Sequence, residues 1–293
     1  MGSAILLVTE DMNELQPQTL YVVATPIGNL DDMTFRAVRV LQGADAIAAE
    51  DTRHTGRLLQ HFKITTPQIS YHDRNRRARL GELLERLLGG DAIALVSDAG
   101  MPGISDPGYE LVKACIERGI EVVPIPGASA VITALAAAGL PTDRFGFEGF
   151  LAVKGKDRRD RLNSLQNETR TLIFYEAPHR LQQTLQDFLE LWGEDRQIVL
   201  ARELTKLHEE FWRGTLRDAI AHYNSRVPKG EFTLVVAGTP KAEAFTLSEV
   251  QLKAELEKLL KGGMTRSQAS RQLAQTTTHS RRQIYQLALE LAD

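Results

Sequence analysis

Ala92-Ile-Ala-Leu-Val-Ser-Asp-Ala-Gly-Met-Pro-Gly-Ile-Ser-Asp-Pro-Gly108 joins an unbroken apolar run to a loop dense in turn formers. The run, Ala92 to Val96, shows no in/out alternation. It therefore reads as a strand covered on both faces, as in a parallel sheet between helices. The loop behind it holds three glycines, two prolines and two aspartates in twelve residues. Ligands of open α/β sheets sit outside the carboxyl ends of the strands, where such loops fall. Asp106 with Pro107 reads as the N-cap and first turn of the next helix. Asp98 has no such local duty: it either accepts hydrogen bonds from a ribose or amine, or closes the loop as an Asx-turn.

The same alternation repeats on both sides. Thr19-Leu-Tyr-Val-Val-Ala24 is a short β-rich run ending at the turn Thr25-Pro-Ile-Gly-Asn-Leu30. A helical pattern through Phe35, Val38, Val40 and Leu41 leads to a further strand ending at Ala49. Helices are expected near 54–61, 79–88, 107–118 and 128–138, with one more strand at Glu121-Val-Val-Pro124. Pro124-Ile-Pro-Gly-Ala-Ser-Ala130 forms a third loop from strand end to helix start, where Ser129 either caps the helix or leaves its amides to face a ligand carboxylate. Three such loops on one sheet would line a single crevice. No GxGxxG and no GxxxxGK[ST] occurs.

The expected fold class is α/β, with two α/β domains and a small all-helical C-terminal region. Residues 1–18 are read as a flexible tail, 19–140 as the parallel-sheet domain, 141–240 as the second domain and 241–293 as the helical region. Strands around 197–213 follow one another too closely for helical crossovers, so the second sheet is expected to be mixed. The C-terminal stripes Leu252, Leu256, Leu259, Leu260 and Ile284, Leu287, Leu291 mark helices, and Ser280 with Gln283 has capping-box spacing. This region resembles a small helix-turn-helix, or is a packing appendage.

Of 293 residues, 43% are hydrophobic and 25% charged, with a net charge of −3. These values fit a globular chain with a core and exclude a globally basic nucleic-acid binder. The single cysteine, Cys115, forbids an internal disulfide and a cysteine-based zinc site, and fits a cytoplasmic location. No metal-ligand spacing occurs, so no metal is expected. The early apolar stretch Ala4 to Val8 is too short for a secretory signal, and nothing reaches the ~18 apolar residues of a membrane span.

Thr25-Pro-Ile-Gly-Asn-Leu30, Ala49-Glu-Asp-Thr-Arg-His-Thr55, Ser97-Asp-Ala-Gly100, Ser105-Asp-Pro-Gly108, Pro126-Gly-Ala-Ser129, Phe174-Tyr-Glu-Ala-Pro-His-Arg180 and Arg202-Glu-Leu-Thr-Lys206 occur in this order. Together they resemble the tetrapyrrole methylase superfamily, and within it the branch of bacterial 16S rRNA cytidine 2′-O-methyltransferases. Met101 departs from the pattern, which has a small polar residue there. The resemblance implies a homodimer that binds S-adenosyl-L-methionine between the two domains and acts on 16S rRNA of the small ribosomal subunit. It implies cofactor contacts at Pro26, Ile27, Asp98, Ala99, Gly100, Met101, Ser129 and Ala130. Tyr175, Glu176, Phe232 and Thr233 would close the site from the second domain.

A ribose hydroxyl is a weak acid, so a positioned base or cation would assist its attack on a methyl group. The candidates are Glu50, Asp51, Arg53, His54, Lys206 and Glu231; His54 serves equally well as a helix-start packing residue. His72-Asp-Arg-Asn-Arg-Arg-Ala-Arg79 and Lys154-Gly-Lys-Asp-Arg-Arg-Asp-Arg161 hold local basic excess. RNA contact is expected from Arg53, Arg74, Arg76, Arg77, Arg79, Lys154, Lys156, Arg158 and Arg159, against the alternative of solvated helix faces. Two other functions remain open: methylation of a tetrapyrrole precursor, and a non-catalytic RNA-binding or ribosome-assembly module.

Overall fold

A computed structural model describes residues 14–240 and 247–291. The first lobe runs β1 (Thr19–Val23), α1 (Phe35–Gly43), β2 (Ala46–Ala49), α2 (Thr52–His61), β3 (Gln68–Ser70), α3 (Arg76–Leu88), β4 (Ala92–Val96), α4 (Tyr109–Glu117), β5 (Glu121–Ile125) and α5 (Ala130–Ala138). Its five strands are all parallel, in the order β3-β2-β4-β1-β5. Every residue of β1, β2 and β4 is buried, as their uninterrupted apolar runs demand. Leu41 of α1 and Leu59 of α2 cover one face with Val23, Ile47 and Val96. Leu83 and Leu87 of α3, with Leu111 and Cys115 of α4, cover the other with Leu20, Ile93 and Leu95.

Chain direction places the crevice. The connection from β1 crosses β4 to reach β2, and the connection from β4 crosses β1 to reach β5. The two connections therefore leave in opposite directions, which opens a gap beyond the carboxyl ends of β1 and β4. The sequence gives no sign of the edge strand β3, whose three residues are half-buried and include Gln68 and Ser70. Residues 14–18, expected as part of a loose tail, are tied down: the Gln16 amide donates to the Tyr21 hydroxyl at 2.8 Å, and the Gln18 amide to the Gly90 carbonyl at 3.1 Å. The rest of that expected tail lies outside the described residues.

The second lobe comprises β6 (Phe145–Phe150), α6 (Lys156–Ser164), β7 (Thr171–Glu176), α7 (Leu181–Trp192), β8 (Gln197–Arg202), β9 (Glu210–Thr215), α8 (Leu216–Asn224) and β10 (Phe232–Val236). Its sheet, in the order β6-β7-β10-β8-β9, is mixed: β6 and β7 are parallel and the other neighbours antiparallel. Leu162, Leu185, Phe188, Leu216 and Tyr223 fill one face. The other is covered by α5 of the first lobe, whose Val131, Ala134 and Leu135 meet Ile173, Val199 and Val235. Burial of Val131 and Leu135 contributes about 1.5–3 kcal/mol each. The two lobes thus form one compact unit.

Asn167–Thr169 and Gly238–Asp293 make up a second unit. Its helices α9 (Glu249–Lys261), α10 (Arg266–Thr276) and α11 (Arg281–Glu290) each begin with a capping box, at Ser248/Gln251, Thr265/Gln268 and Ser280/Gln283. Leu252, Leu256, Ala269, Leu273, Ile284 and Ala288 form its core. Among the described residues no helix is long and apolar enough to cross a membrane.

Candidate functional site

The loops after β1, β4 and β5 meet. Thr25 and Gly100 exchange backbone hydrogen bonds at 2.9 and 3.0 Å, and the Thr25 hydroxyl donates to the Ser97 carbonyl at 3.2 Å. Gly100 turns there at φ 79°, with the space a Cβ would fill 3.5 Å from Ile27 Cγ2 and 3.7 Å from the Ala128 carbonyl. Gly127 crosses β1 so tightly that a methyl would stand 2.8 Å from Ala24 Cβ. Pro26–Ile27, Asp98–Met101 and Ser129–Ala130 are therefore brought to one place. Ser129 precedes α5 but makes no side-chain cap bond, which removes the purely capping explanation for it.

Carboxylates gather behind these loops. Asp98 Oδ1 accepts from the Asp51 amide at 3.1 Å, and Glu50 Oε2 accepts from the Asp98 amide at 3.4 Å, linking the ends of β2 and β4. Burial raises the Glu50 pKa against that hydrogen bond, with Asp106, Asp98 and Asp73 adding repulsion. Burial likewise pushes Asp106 up to about 6; a Ser97 hydrogen bond opposes this while Asp98 and Asp73 reinforce it. The expected capping role of Asp106 does not hold. Helix α4 starts at Tyr109 behind Gly108, whose φ of 142° only glycine adopts freely, leaving Asp106 in the loop. Asp106 is the site residue the sequence reading set aside, because Asp-Pro imitates a helix start.

Strand alternation divides the second lobe's contribution. Tyr175 and Thr233 pair across β7 and β10. Tyr175 packs on the α5 side of the sheet, and burial pushes its hydroxyl up to about 12, with Asp106 and the Val131 amide among its neighbours. Glu176 and Phe232, the next pair, face away. Phe232 lies in the core beneath α7 and α8. Glu176, 2% exposed, accepts from Thr184 Oγ1 at 2.5 Å and pairs with Arg180 at 3.3 Å. Neither side chain shares the face of Tyr175 and Thr233, so these two positions offer that side their backbone alone; strand parity sends adjacent side chains to opposite faces.

Among the candidate catalytic residues, Asp51 caps α2, and the Arg53 guanidinium beside it holds its carboxyl well below the usual range. His54 is exposed on the first turn of α2. Lys206 Nζ donates to Glu203 at 2.9 Å and to Glu231 at 2.7 Å. Burial works against the Lys206 charge, but these two carboxylates outweigh it and raise its pKa. Lys206 is thus a fixed cation, not a base. Its loop presses on the first lobe: a Cβ on Gly28 would collide with Lys206 Cγ. Glu203 and Thr205 hold left-handed φ angles of 51° and 63° in the same loop, a strain of about 1 kcal/mol or more each.

The basic stretches are unequal. Arg74 and Arg77 are exposed, whereas Arg76 pairs with Asp73 and Glu110, and Arg79 with Glu82. Lys154, Lys156 and Arg159 are exposed around the start of α6. Arg158 is not: it is 6% exposed and donates to Asp187 (2.7 Å), the Ala152 carbonyl (2.9 Å) and Thr184 Oγ1 (2.9 Å). Spent on internal partners, it is unavailable to RNA. A groove of about 550 Å³ between α6 and α7, lined by Lys154, Arg159, Gln183 and Glu190 among others, lies on this outer helical face rather than at the strand tips. Among the described residues no group of His, Cys, Asp or Glu is arranged to hold a metal.

The family model for tetrapyrrole (corrin/porphyrin) methylases matches residues 19–220. A Synechocystis sp. protein named ribosomal RNA small subunit methyltransferase I is 62% identical over 272 residues, covering 93% of this chain and 98% of that protein. A protein of the same name from Halalkalibacterium halodurans is 50% identical, covering 92% of this chain and 94% of its own. The one from Thermotoga maritima is 50% identical over 219 residues, which is 75% of this chain and 98% of that relative. Among solved structures, a cobalt precorrin-4 methyltransferase aligns with a TM-score of 0.54 at 18% identity, covering 79% of this chain and 98% of its own. The uroporphyrin-III C-methyl transferase of Thermus thermophilus complexed with S-adenyl homocysteine aligns with a TM-score of 0.53 at 17% identity, covering 74% and 96%.

Proposed function

The chain belongs to the tetrapyrrole methylase family, and from that premise we propose that it transfers the methyl group of S-adenosylmethionine to 16S rRNA of the small ribosomal subunit, on the ribose 2′-hydroxyl of a cytidine in the decoding region. The observation that carries the RNA acceptor is the 62% identity, over nearly the whole chain, to a protein named for methylating small-subunit ribosomal RNA. A tetrapyrrole-precursor acceptor has only fold likeness below 25% identity behind it, and fold alone does not name an acceptor.

The residues fit the cofactor. S-adenosylmethionine carries a cationic sulfonium whose methyl group is electrophilic. Pro26–Ile27, Asp98–Met101 and Ser129–Ala130, with Tyr175 and Thr233 opposite, would hold it, and Gly100 and Gly127 leave its backbone cradle unobstructed. Glu50, Asp98 and Asp106 supply the negative field a cation requires. The same field disfavours phosphate, so RNA is gripped outside the acidic group, by Arg74, Arg77, Lys154, Lys156 and Arg159. Lys206, held as an ammonium, stabilises charge developing on an oxygen. Burial makes Glu50 and Asp106 better proton acceptors than the ion-paired Asp51.

The reading includes a second copy of the chain as partner. Its support is the outer stripe of α4, where Tyr109 and Ile116 are both 64% exposed at helical spacing. An acceptor in the ribosome places the activity in the cytoplasm.

Incubation with methyl-labelled S-adenosylmethionine and small subunits lacking the modification tests the reading, with the label mapped to base or ribose. Label on a cytidine ribose is the expected result. Cofactor binding without label in the RNA removes the rRNA reading, and absence of cofactor binding leaves only a non-catalytic RNA-binding module.

A further inference from the structure

Phe150 ends β6 beside Tyr175 and is 55% exposed. The two rings lie 5.4 Å apart between centroids, and Phe147 meets the far side of the group, 5.0 Å from Tyr175. Phe150 therefore extends a row of aromatic rings outward from the α5 side of the sheet. A register shift between Phe147 and Gly149 turns the end of the strand, with Gly149 at φ 63°. A Cβ on Gly149 would stand 3.1 Å from Ser105 Oγ, so the Asp98–Asp106 loop of the first lobe abuts the residue just before Phe150. The ring thus leans on Tyr175 at an interplanar angle of 55° and stays more than half open to solvent at the rim of the proposed cofactor site.

The chain behind the ring is held rigidly. Arg180 donates to the Leu151 carbonyl at 2.6 Å and Arg158 to the Ala152 carbonyl at 2.9 Å. Buried Glu176 and half-buried Asp187 balance the two guanidinium charges, and Thr184 joins them. Immediately beyond come the exposed cations Lys154 and Lys156. An exposed aromatic ring on a tethered backbone beside that site, followed within six residues by two exposed cations, suits an unstacked nucleobase and its flanking phosphates. Stacking supplies affinity without sequence selection, and a pre-ordered ring loses little freedom on binding.

We propose that Phe150 is the platform on which a nucleobase stacks when its nucleotide is turned out of the RNA strand into the site, with Lys154 and Lys156 on the neighbouring phosphates. This rests on the RNA-methylating reading above and adds a substrate-binding residue to it. Phe150→Ala, Phe150→Leu and Phe150→Trp are compared on undermethylated small subunits at saturating labelled cofactor. Alanine and leucine are expected to raise the subunit KM on the order of tenfold, and tryptophan to stay near wild type. Cofactor affinity by calorimetry and sedimentation are expected to stay unchanged in all three. A leucine variant equal to wild type, or an alanine variant with unaltered KM, overturns the platform. So does a loss that tracks cofactor affinity or a change in oligomeric state, since the ring would then belong to the cofactor pocket or to an interface between copies. Wild-type protein that labels no RNA fails earlier and overturns the activity reading itself, together with this extension.

Discussion

In the first lobe β1, β4 and β5 run the same way, so whatever follows each strand arrives at the same edge of the sheet. In the second lobe β7 and β10 are antiparallel, and Tyr175 and Glu176 of one pair with Thr233 and Phe232 of the other. Parallel strands present their loops, and a ligand seated at the strand tips would meet whole loops. An antiparallel pair presents a face, and only alternate residues belong to it. On the proposed reading the first lobe accordingly gives three neighbouring loops to the site, while the second would give Tyr175 and Thr233 and turns the side chains next to them into the far core.

The largest test of this contrast is Arg158→Ala. Removing one member of the buried group strands Asp187 and releases the Ala152 carbonyl, a destabilisation of about 3–5 kcal/mol. Urea unfolding is expected to show that loss, with cofactor affinity of the folded fraction unchanged. An Arg158 variant of native stability that instead lost RNA affinity would return this residue to the surface role its sequence neighbourhood suggests.

On the other side of the contrast, Asp98→Ala is expected to weaken S-adenosylmethionine binding on the order of ten- to a hundredfold, as loss of a charged hydrogen-bonding group from a cation site does. Its neighbour Asp106 adds a pH signature. With its pKa at about 6, Asp106 carries charge above that pH and loses it below. Cofactor affinity measured by calorimetry is therefore expected to rise as pH climbs through about 6, and Asp106→Asn to flatten that rise. Its effect on folding has the opposite sign. A carboxyl whose pKa is higher folded than unfolded stabilises the protein fully below the ordinary value of 3.8, and that contribution is lost as pH rises through 6. Affinity and stability moving together across this range would mean that Asp106 is not the titrating group.

The sheets were legible because apolar runs and turn residues report them directly; β1 and β4 are buried at every position. The strand-tip loops were legible for the same reason. Three features were not. Strand β3 is too short and polar to carry a period. Asp106 was masked by local chemistry, since Asp-Pro-Gly reads as a cap until Gly108 delays the helix. Glu176 and Arg158 were misplaced although their signal was present. Glu176 shares parity with buried Leu172 and Phe174, and Arg158 stands four residues before buried Leu162, on the inner face of α6. Charge suggested the surface for Arg158 and the resemblance placed Glu176 at the cofactor, and for both side chains periodicity was the better guide.

The smallest effect separates residues that composition treats alike. In the stretch from 72 to 79, Arg76 and Arg79 are already engaged by Asp73, Glu110 and Glu82, while Arg74 and Arg77 stand exposed. A guanidinium already neutralised by a carboxylate displaces few counterions when it approaches a phosphate; an exposed one displaces its full share. Arg74→Ala with Arg77→Ala is therefore expected to lower the slope of log affinity against log salt by about 1.4 for single-stranded RNA, at about 0.7 per phosphate contact. Arg76→Ala with Arg79→Ala is expected to change that slope by less than half as much, because the carboxylates they leave behind restore repulsion without removing a free cation. Equal slopes for the two double variants in filter-binding titrations would show that surface ion pairs open on contact with RNA, and that composition alone governs this helix.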